Sequence, residues 1–471
     1  MFDLQILREE PLIKFNRQLP VFNWPYPFHR QADILKNRYV PYTHSPQTAV
    51  RRRAVYIHIP FCETICSFCP FSREKHKSDS DIEDYVHALI AELDMKQHFL
   101  GRRTVDTIFV GGGTPSLLSP RQIGSLGKAI ARNLDLSSLN EFTFEVEVKS
   151  VSRAKLEALR DIGVNRVSFG AQTFSEHYRA LFSLDATHQQ ISSAAELLTN
   201  MFSYTNVDLL YGMAGQDLDQ VQTDVAAAVN LQTTTIDVYP INTFSVSRSM
   251  HMKMARAGLE LLPEATRVQF RIHIEQLFRQ LGYAPISGYG FAAADKAKKN
   301  KKDPVQHSPK FLYHDLVYGY QDDEIIGYGS AALSHMPGFN LHNFGNRKEY
   351  VAEVLINKAL PHLAFGPLYA PERGIVSFPF RGSLEKARIT WSEIPDETAV
   401  ALQDALDAEL IADQDDAYVL TEAGWLFYVN LMYYLMPTTG KKWITDKMAQ
   451  QGRNGKRCGD TDLTEFSRSR F

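Results

Sequence analysis

From Ala54 onward the chain switches repeatedly between two hydrophobic periods. Val55, Ile57 and Ile59 alternate with Tyr56 and His58, the pattern of a strand. Farther on, Ile82, Tyr85, Val86, Leu89, Ile90 and Leu93 recur at helical spacing, with Ser80 or Asp81 in front as a cap. The pair of signals then returns. It predicts strands over 105–110 and 142–148, the latter with Glu145 and Glu147 on its polar face, and helices over 123–134 and 154–162, the second stopped by Gly163. A strand over 166–170 with Gln172 in the loop beyond it, a helix over 189–201, a strand over 207–211 carrying Asp208, a helix over 218–231 and a strand over 235–239 follow. Six strand–helix rounds predict parallel βα units in an α/β fold, assembled as a partial, TIM-like (β/α)6 barrel. In such barrels chemistry sits at the C-terminal ends of the strands.

Beyond the rounds the pattern loosens. A helix is expected over 264–281, a basic loop over 293–303, and a last strand with a glycine turn over 325–332. From about residue 357 the repeat stops. Residues 398–411, a strand over 418–420 and a helix over 422–435 predict a small helical and winged domain. Residues 1–53, rich in proline and aromatics, read as an irregular extension, and Arg51-Arg52-Arg53 as its solvated edge. The expected organisation is an extension over 1–53, a barrel with accessory elements over 54–356, and a C-terminal domain with a polar tail over 357–471.

Composition narrows the function classes. A chain of 471 residues holds two or three domains, and 44% hydrophobic with 22% charged residues is ordinary for a globular protein. A net charge of -3 gives no reason to expect a nucleic-acid or membrane partner. No secretory signal is visible, and the longest apolar stretch, 425–436, is too short to span a bilayer. Four cysteines, three of them within one loop, argue against a disulfide framework and for a reduced, cytoplasmic setting.

Those three are Cys62, Cys66 and Cys69, at C-x3-C-x2-C spacing directly after the first strand. With His58 they would make a Cys3His set for zinc, although structural zinc sites usually use two separated pairs. Three thiolates on one compact loop also suit an iron–sulfur cluster with one iron left open. The cysteines alone leave both open. Cys458, in the polar tail, reads as a lone exposed thiol.

The ordered set YIHIPFC, C-x3-C-x-F-C, FVGGGTPSLL, VSFGAQTF, VDLLYG and LTEAG is similar to the radical S-adenosylmethionine (SAM) superfamily. Within it, the set resembles the branch containing oxygen-independent coproporphyrinogen oxidase. The resemblance implies that Cys62, Cys66 and Cys69 hold a 4Fe-4S cluster whose open iron chelates SAM. It places Tyr56 near the sulfonium, Gly112, Gly113 and Thr114 on the methionyl part, and Glu145, Gln172 and Asp208 on SAM. The implied chemistry is a 5′-deoxyadenosyl radical, with electrons from a flavodoxin- or ferredoxin-like donor.

The sequence departs from the oxidases at three places. Pro70-Phe71-Ser72 stands where they carry a further cysteine, Leu184 where they carry an arginine that meets SAM, and Ala332-Leu333-Ser334 where they carry Ala-His-Ser. The combination resembles the haem-utilisation offshoot of the branch, the HutW- and ChuW-type proteins. For these the resemblance implies methyl transfer to haem with ring opening and iron release without oxygen, using two SAM molecules. The alternatives within the branch are coproporphyrinogen decarboxylation and a haem-binding chaperone. His251, His314, His335 and His342 are candidate haem ligands, and Arg248, Lys253 and the lysine-rich loop candidate propionate contacts.

Overall fold

The computed structural model describes residues 26–43, 49–69, 71–76, 78–241, 248–293 and 309–453. Its frame is a twelve-stranded sheet. The strands are β1 (Arg52–Ile59), β2 (Thr107–Gly112), β3 (Glu141–Val146), β4 (Arg166–Gln172), β5 (Tyr204–Tyr211), β6 (Thr235–Pro240), β7 (Tyr283–Pro285), β8 (Gly290–Ala293), β9 (Asp323–Tyr328), β10 (Leu333–Met336), β11 (Phe339–Asn343) and β12 (His362–Phe365). β1 to β6 lie side by side and parallel, each joined to the next by helical connections, as the alternating periods require. β9 adds to the free edge of β1, also parallel. Antiparallel strands extend both flanks: β10, β11 and β12 beyond β9, and β8 then β7 beyond β6. The sheet is therefore a mixed, open one around a parallel centre.

The parallel strands are buried on both faces, which is why they read as near-continuous apolar runs. Val55, Ile57, Ile108, Val110, Phe142, Phe144, Val167, Val207, Ile236 and Val238 form one core with the helix faces, Leu89, Leu126 and Leu198 among them. Helix Asp79–Leu100 starts one turn earlier than its apolar periodicity suggests. Its cap is Ser78, whose side chain accepts the Asp81 N–H, rather than Ser80 or Asp81. A second core gathers Phe378, Phe380, Leu402, Leu420, Tyr428, Leu431 and Leu435 with a three-stranded sheet, Ser383–Glu385, Ile411–Asp413 and Ala417–Leu420. The helix expected over 422–435 is two, Glu422–Leu426 and Tyr428–Leu435, and the stretch after Thr438 continues as a helix to Arg453. The described part of the N-terminal extension packs here: Phe28 stacks on Trp443 at 4.3 Å between centroids, and Tyr26 hydrogen-bonds to Glu372.

Of the arginine triplet Arg51 is exposed, as a solvated edge requires, but Arg52 and Arg53 are not. Arg52 reaches Asp323 through two hydrogen bonds at 3.1 and 2.9 Å, and Arg53 is buried against Glu324. The register of β1 on β9 pairs exactly these residues, so opposite charges fix the strand pairing across a loop closure that sequence proximity cannot reveal. The last strand stops at Tyr328 and its glycine turn follows; β10, β11 and β12, too short for a clear period, were not anticipated.

Candidate functional site

One cavity of about 530 Å³ opens at the C-terminal ends of the parallel strands and runs down inside the sheet. Cys62, Cys66 and Cys69 line its mouth. Tyr56, Gly112, Gly113, Thr114, Glu145, Gln172 and Asp208 line its wall, so every residue proposed for the cluster and for SAM faces the same space.

The cysteine loop and the glycine run are zipped together by backbone. Gly113 N–H donates to Ile59 C=O at 2.7 Å and Thr114 N–H to Phe61 C=O at 2.6 Å. A Cβ on Gly113 would lie 2.6 Å from that Phe61 oxygen, so the glycine is required by loop-on-loop packing as well as by any ligand. Gly112 has φ +115° and a Cβ there would meet the His58 ring at 2.5 Å. His58 Nε2 must donate to the Ser72 carbonyl at 2.9 Å, which leaves Nδ1 to accept the Tyr56 hydroxyl at 2.9 Å. Both ring nitrogens are thus engaged, and burial lowers the imidazole to about 4, keeping it neutral. His58 braces the loop and has no lone pair left for a zinc ion.

The donor set fits an iron–sulfur cluster. Burial raises all three thiols, and Cys66, pushed up to about 12, is raised further by Cys69 and Cys62. Three anionic sulfurs this close and this dry need a cationic partner, and cluster irons supply one. Arg73 lowers each thiol, and the Thr114 hydroxyl hydrogen-bonds to Cys62. Among the described residues no three His, Cys, Asp or Glu side chains converge as around a single ion.

Beyond the thiols the wall turns acidic. Glu145 Oε2 accepts the Gly112 N–H at 2.9 Å, and burial still pushes its carboxyl up to about 7. A carboxyl that binds its proton more tightly folded than unfolded contributes fully below the ordinary carboxylate range, and the contribution is lost as pH rises through about 7. Without SAM, Glu145→Gln protein is therefore expected to unfold a few degrees above wild type at about pH 8 and level with it at about pH 4. Thermal unfolding followed at both pH values checks this, and equal midpoints at pH 8 contradict it.

Glu147, expected beside Glu145 on a strand, lies past the end of β3. It caps the turn Val148–Ser150 by accepting the Ser150 N–H. Gln172 belongs to β4 rather than to a loop, at a register shift against β5 and with φ +68°. That conformation is held from below: Asp224 accepts the Thr173 hydroxyl at 2.8 Å and the Phe174 N–H at 2.6 Å, and Arg179 donates to the Ala171 and Thr173 carbonyls. Arg179 lines the cavity, but its guanidinium is spent on these carbonyls and that of Ala186, so it does not replace an arginine at Leu184.

The floor is aromatic: Tyr239, Tyr289, Tyr313, His314 and Tyr318. Helix Leu312–Val317 brings in Tyr313 and His314, with Tyr318 as its C-cap, and Glu141 fixes it by accepting the Leu312 and Tyr313 N–H groups, each at 3.0 Å. Of the histidines proposed as haem ligands, His314 and His335 line the cavity, and burial lowers each to about 3. His342 instead packs on His29 and Phe365, away from that lining. The side chains of Arg248 and His251, most of the lysine-rich loop and Cys458 lie outside the described residues. Lys253 is engaged with Leu181 C=O and Ser183 Oγ. Sequence reasoning missed Asp237, in register with Asp208 on the neighbouring strand. The signal was present, since Val-Asp-Leu at 207–209 and Ile-Asp-Val at 236–238 are the same pattern in consecutive strands.

Comparison with known proteins agrees with this geometry. The model of the radical SAM superfamily matches residues 56–228. The haem chaperone HemW of Lactococcus lactis is 29% identical over 65% of this chain and 76% of its own length. The anaerobilin synthase of Escherichia coli O157:H7 is 31% identical over 65% of this chain and 66% of its own. In structure, the radical SAM enzyme coproporphyrinogen III oxidase (HemN) of Escherichia coli superposes with TM-score 0.71 at 20% identity, covering 92% of this chain and 98% of that one. The chain belongs to the radical SAM superfamily, in the group that holds the coproporphyrinogen oxidase-like and haem chaperone-like proteins, and its cofactors are a 4Fe-4S cluster and SAM.

Proposed function

We propose that this protein is a radical SAM enzyme that acts on haem, transferring a methyl group without oxygen, opening the porphyrin ring and freeing the iron. One observation carries the reading: the cavity that begins at three thiols ends in a floor of tyrosines with two neutral histidines. An apolar, aromatic slot with imidazole lone pairs suits a flat metal-bearing macrocycle better than a polar carboxylate-rich one. The similarity to an anaerobilin synthase supports it, as does Leu184 on the wall where oxidases place an arginine.

In this reading Cys62, Cys66 and Cys69 hold the cluster, and Tyr56, Gly112, Gly113, Thr114, Glu145, Gln172 and Asp208 hold SAM. When bound, cluster and SAM supply a 5′-deoxyadenosyl radical on one-electron reduction. The chain's own residues do the rest. Gly112 and Gly113 present backbone at close range, and the carboxyls of Glu145 and Asp208 offer hydrogen bonds from the cavity wall. His335 Nδ1–H donates to Asn340 Oδ1 at 2.8 Å, and the amide is held the right way round by the Pro27 carbonyl, so the lone pair stays on Nε2. A flavodoxin- or ferredoxin-like protein would supply the electron.

Similarity to haem chaperones makes binding without turnover the competing reading. Reconstituted protein incubated anaerobically with SAM, reductant and haem is expected to form 5′-deoxyadenosine and lose the haem absorption band. Stable haem binding with no SAM cleavage would favour the chaperone, and loss of two carboxylates from coproporphyrinogen with haem untouched would favour the oxidase.

A further inference from the structure

A buried carboxyl outside the expected SAM contacts reaches the cavity through a phenol. Asp237 on β6 is 1% exposed. Its Oδ2 accepts the Tyr239 hydroxyl at 3.2 Å, while its Oδ1 has no hydrogen-bond partner among the described residues. Tyr239 lines the cavity, 4.2 Å from Tyr289 between ring centroids. Across the ladder Asp237 is in register with Asp208, itself on the cavity wall. Arg166, the cation whose charge reaches Asp237, is already paired with Glu141 at 3.0 Å. Two neighbouring carboxyls without a cation of their own cannot both ionise, and one keeps a proton. Burial raises both, and Asp237 raises Asp208 further.

We propose that Asp237 passes protons through Tyr239 to the tetrapyrrole in the cavity and so serves the release of its iron. The proposal rests on the haem reading. Freeing iron(II) from a dianionic tetrapyrrole takes two protons on its nitrogens and moves no electron. For each proton the Tyr239 hydroxyl turns from Asp237 Oδ2 to a ring nitrogen, its O–H bond breaks there, and the carboxyl proton of Asp237 moves to the Tyr239 oxygen. Asp208, in register beside it on the cavity wall, returns a proton to the carboxylate before the second transfer and is itself reprotonated from the cavity. Tyr239 touches the substrate; Asp237 acts through it as a positioning and relay group.

The groups facing Asp237 are Asp208 and the neutral amide of Asn206 from β5, Arg166 from β4, Tyr289 from the turn before β8 and Tyr428 from helix Tyr428–Leu435, with Glu145 acting on Asp208. Several of these titrate, so variants assign the profile. Holoenzyme is given haem, SAM and reductant anaerobically, and iron(II) released per 5′-deoxyadenosine formed is measured across pH. In wild type the ratio falls as pH rises through neutrality. In Asp237→Asn and in Tyr239→Phe it drops about tenfold to a hundredfold and loses that slope. Asparagine mimics the protonated carboxyl in size and hydrogen bonding, and if it does not fold, Tyr239→Phe decides alone. Wild-type ratio and slope in a folded variant overturn the proposal alone. Wild-type protein that cleaves SAM yet leaves haem intact overturns the haem reading, and the proposal with it.

Discussion

Cys66→Ser protein, reconstituted with iron and sulfide under anaerobic conditions, is expected to retain roughly a tenth or less of the wild-type iron, about four atoms per chain, and to form no 5′-deoxyadenosine. Cys62→Ser and Cys69→Ser should behave alike, because in the proposed reading each thiol is one of three protein ligands and no other described cysteine can substitute. Cys458→Ser, by contrast, should keep its iron. Metal analysis and chromatography of the SAM products check both halves. Full iron content in the Cys66 variant would remove the cluster from this loop. Iron retained with SAM cleavage lost would instead mean that the loop holds a metal for another purpose.

The largest effect on stability is expected at Glu92, on the helix behind the sheet. Its carboxylate is fully buried, 2.7 Å from Lys96 Nζ, and accepts from Gly329 N–H, Asn343 Nδ2 and the Tyr350 hydroxyl at 2.7 to 2.8 Å. These bonds fasten the turn after β9 to the helix. Tyr85, two helical turns away, donates to the His58 carbonyl at 2.8 Å, so the same network supports the strand end that feeds the cysteine loop. Glu92→Leu strands a buried ammonium and three donors, which costs about 3–5 kcal/mol. Denaturant unfolding should show a shift of that size and reconstitution should yield less cluster. A change below about 1 kcal/mol would mean that the network is not a support. Glu92→Leu with Lys96→Met, which removes both charges, should recover part of the loss.

These cases show what the sequence could and could not say. Periodicity sufficed for β1 to β6, because buried parallel strands and amphipathic helices each carry their own period. It also placed the cysteine loop, the glycine run, Glu145, Gln172 and Asp208 at or near strand ends, where a βα sheet collects its chemistry. What was hidden depended on partners distant in sequence. Arg52 and Arg53 read as solvated until Asp323 and Glu324 came alongside. Nothing in the sequence marks Glu92, because its partners Gly329, Asn343 and Tyr350 lie 237 to 258 residues away. Gln172 read as a loop residue because its left-handed backbone is imposed by Asp224 and Arg179 rather than by local propensity. The tyrosines of the floor were missed for the same reason, since Tyr239 comes from β6, Tyr289 from the turn before β8, and Tyr313 and Tyr318 from one helix and its cap.

The organisation that results has a simple division of labour. Backbone zipping between the cysteine loop and the glycine run sets the reducing end of the cavity, and the acidic wall and aromatic floor set what is held beneath it. With Leu184 apolar and Arg179 committed to backbone carbonyls, the remaining arginine on the lining is Arg73, beside the thiols.

The most direct test of the haem reading is mass spectrometry of the pigment formed anaerobically from haem and SAM carrying a deuterated methyl group. The account predicts an iron-free, ring-opened tetrapyrrole that carries the labelled methyl group, formed together with 5′-deoxyadenosine. Recovery of intact, unlabelled haem while SAM is being cleaved would contradict it.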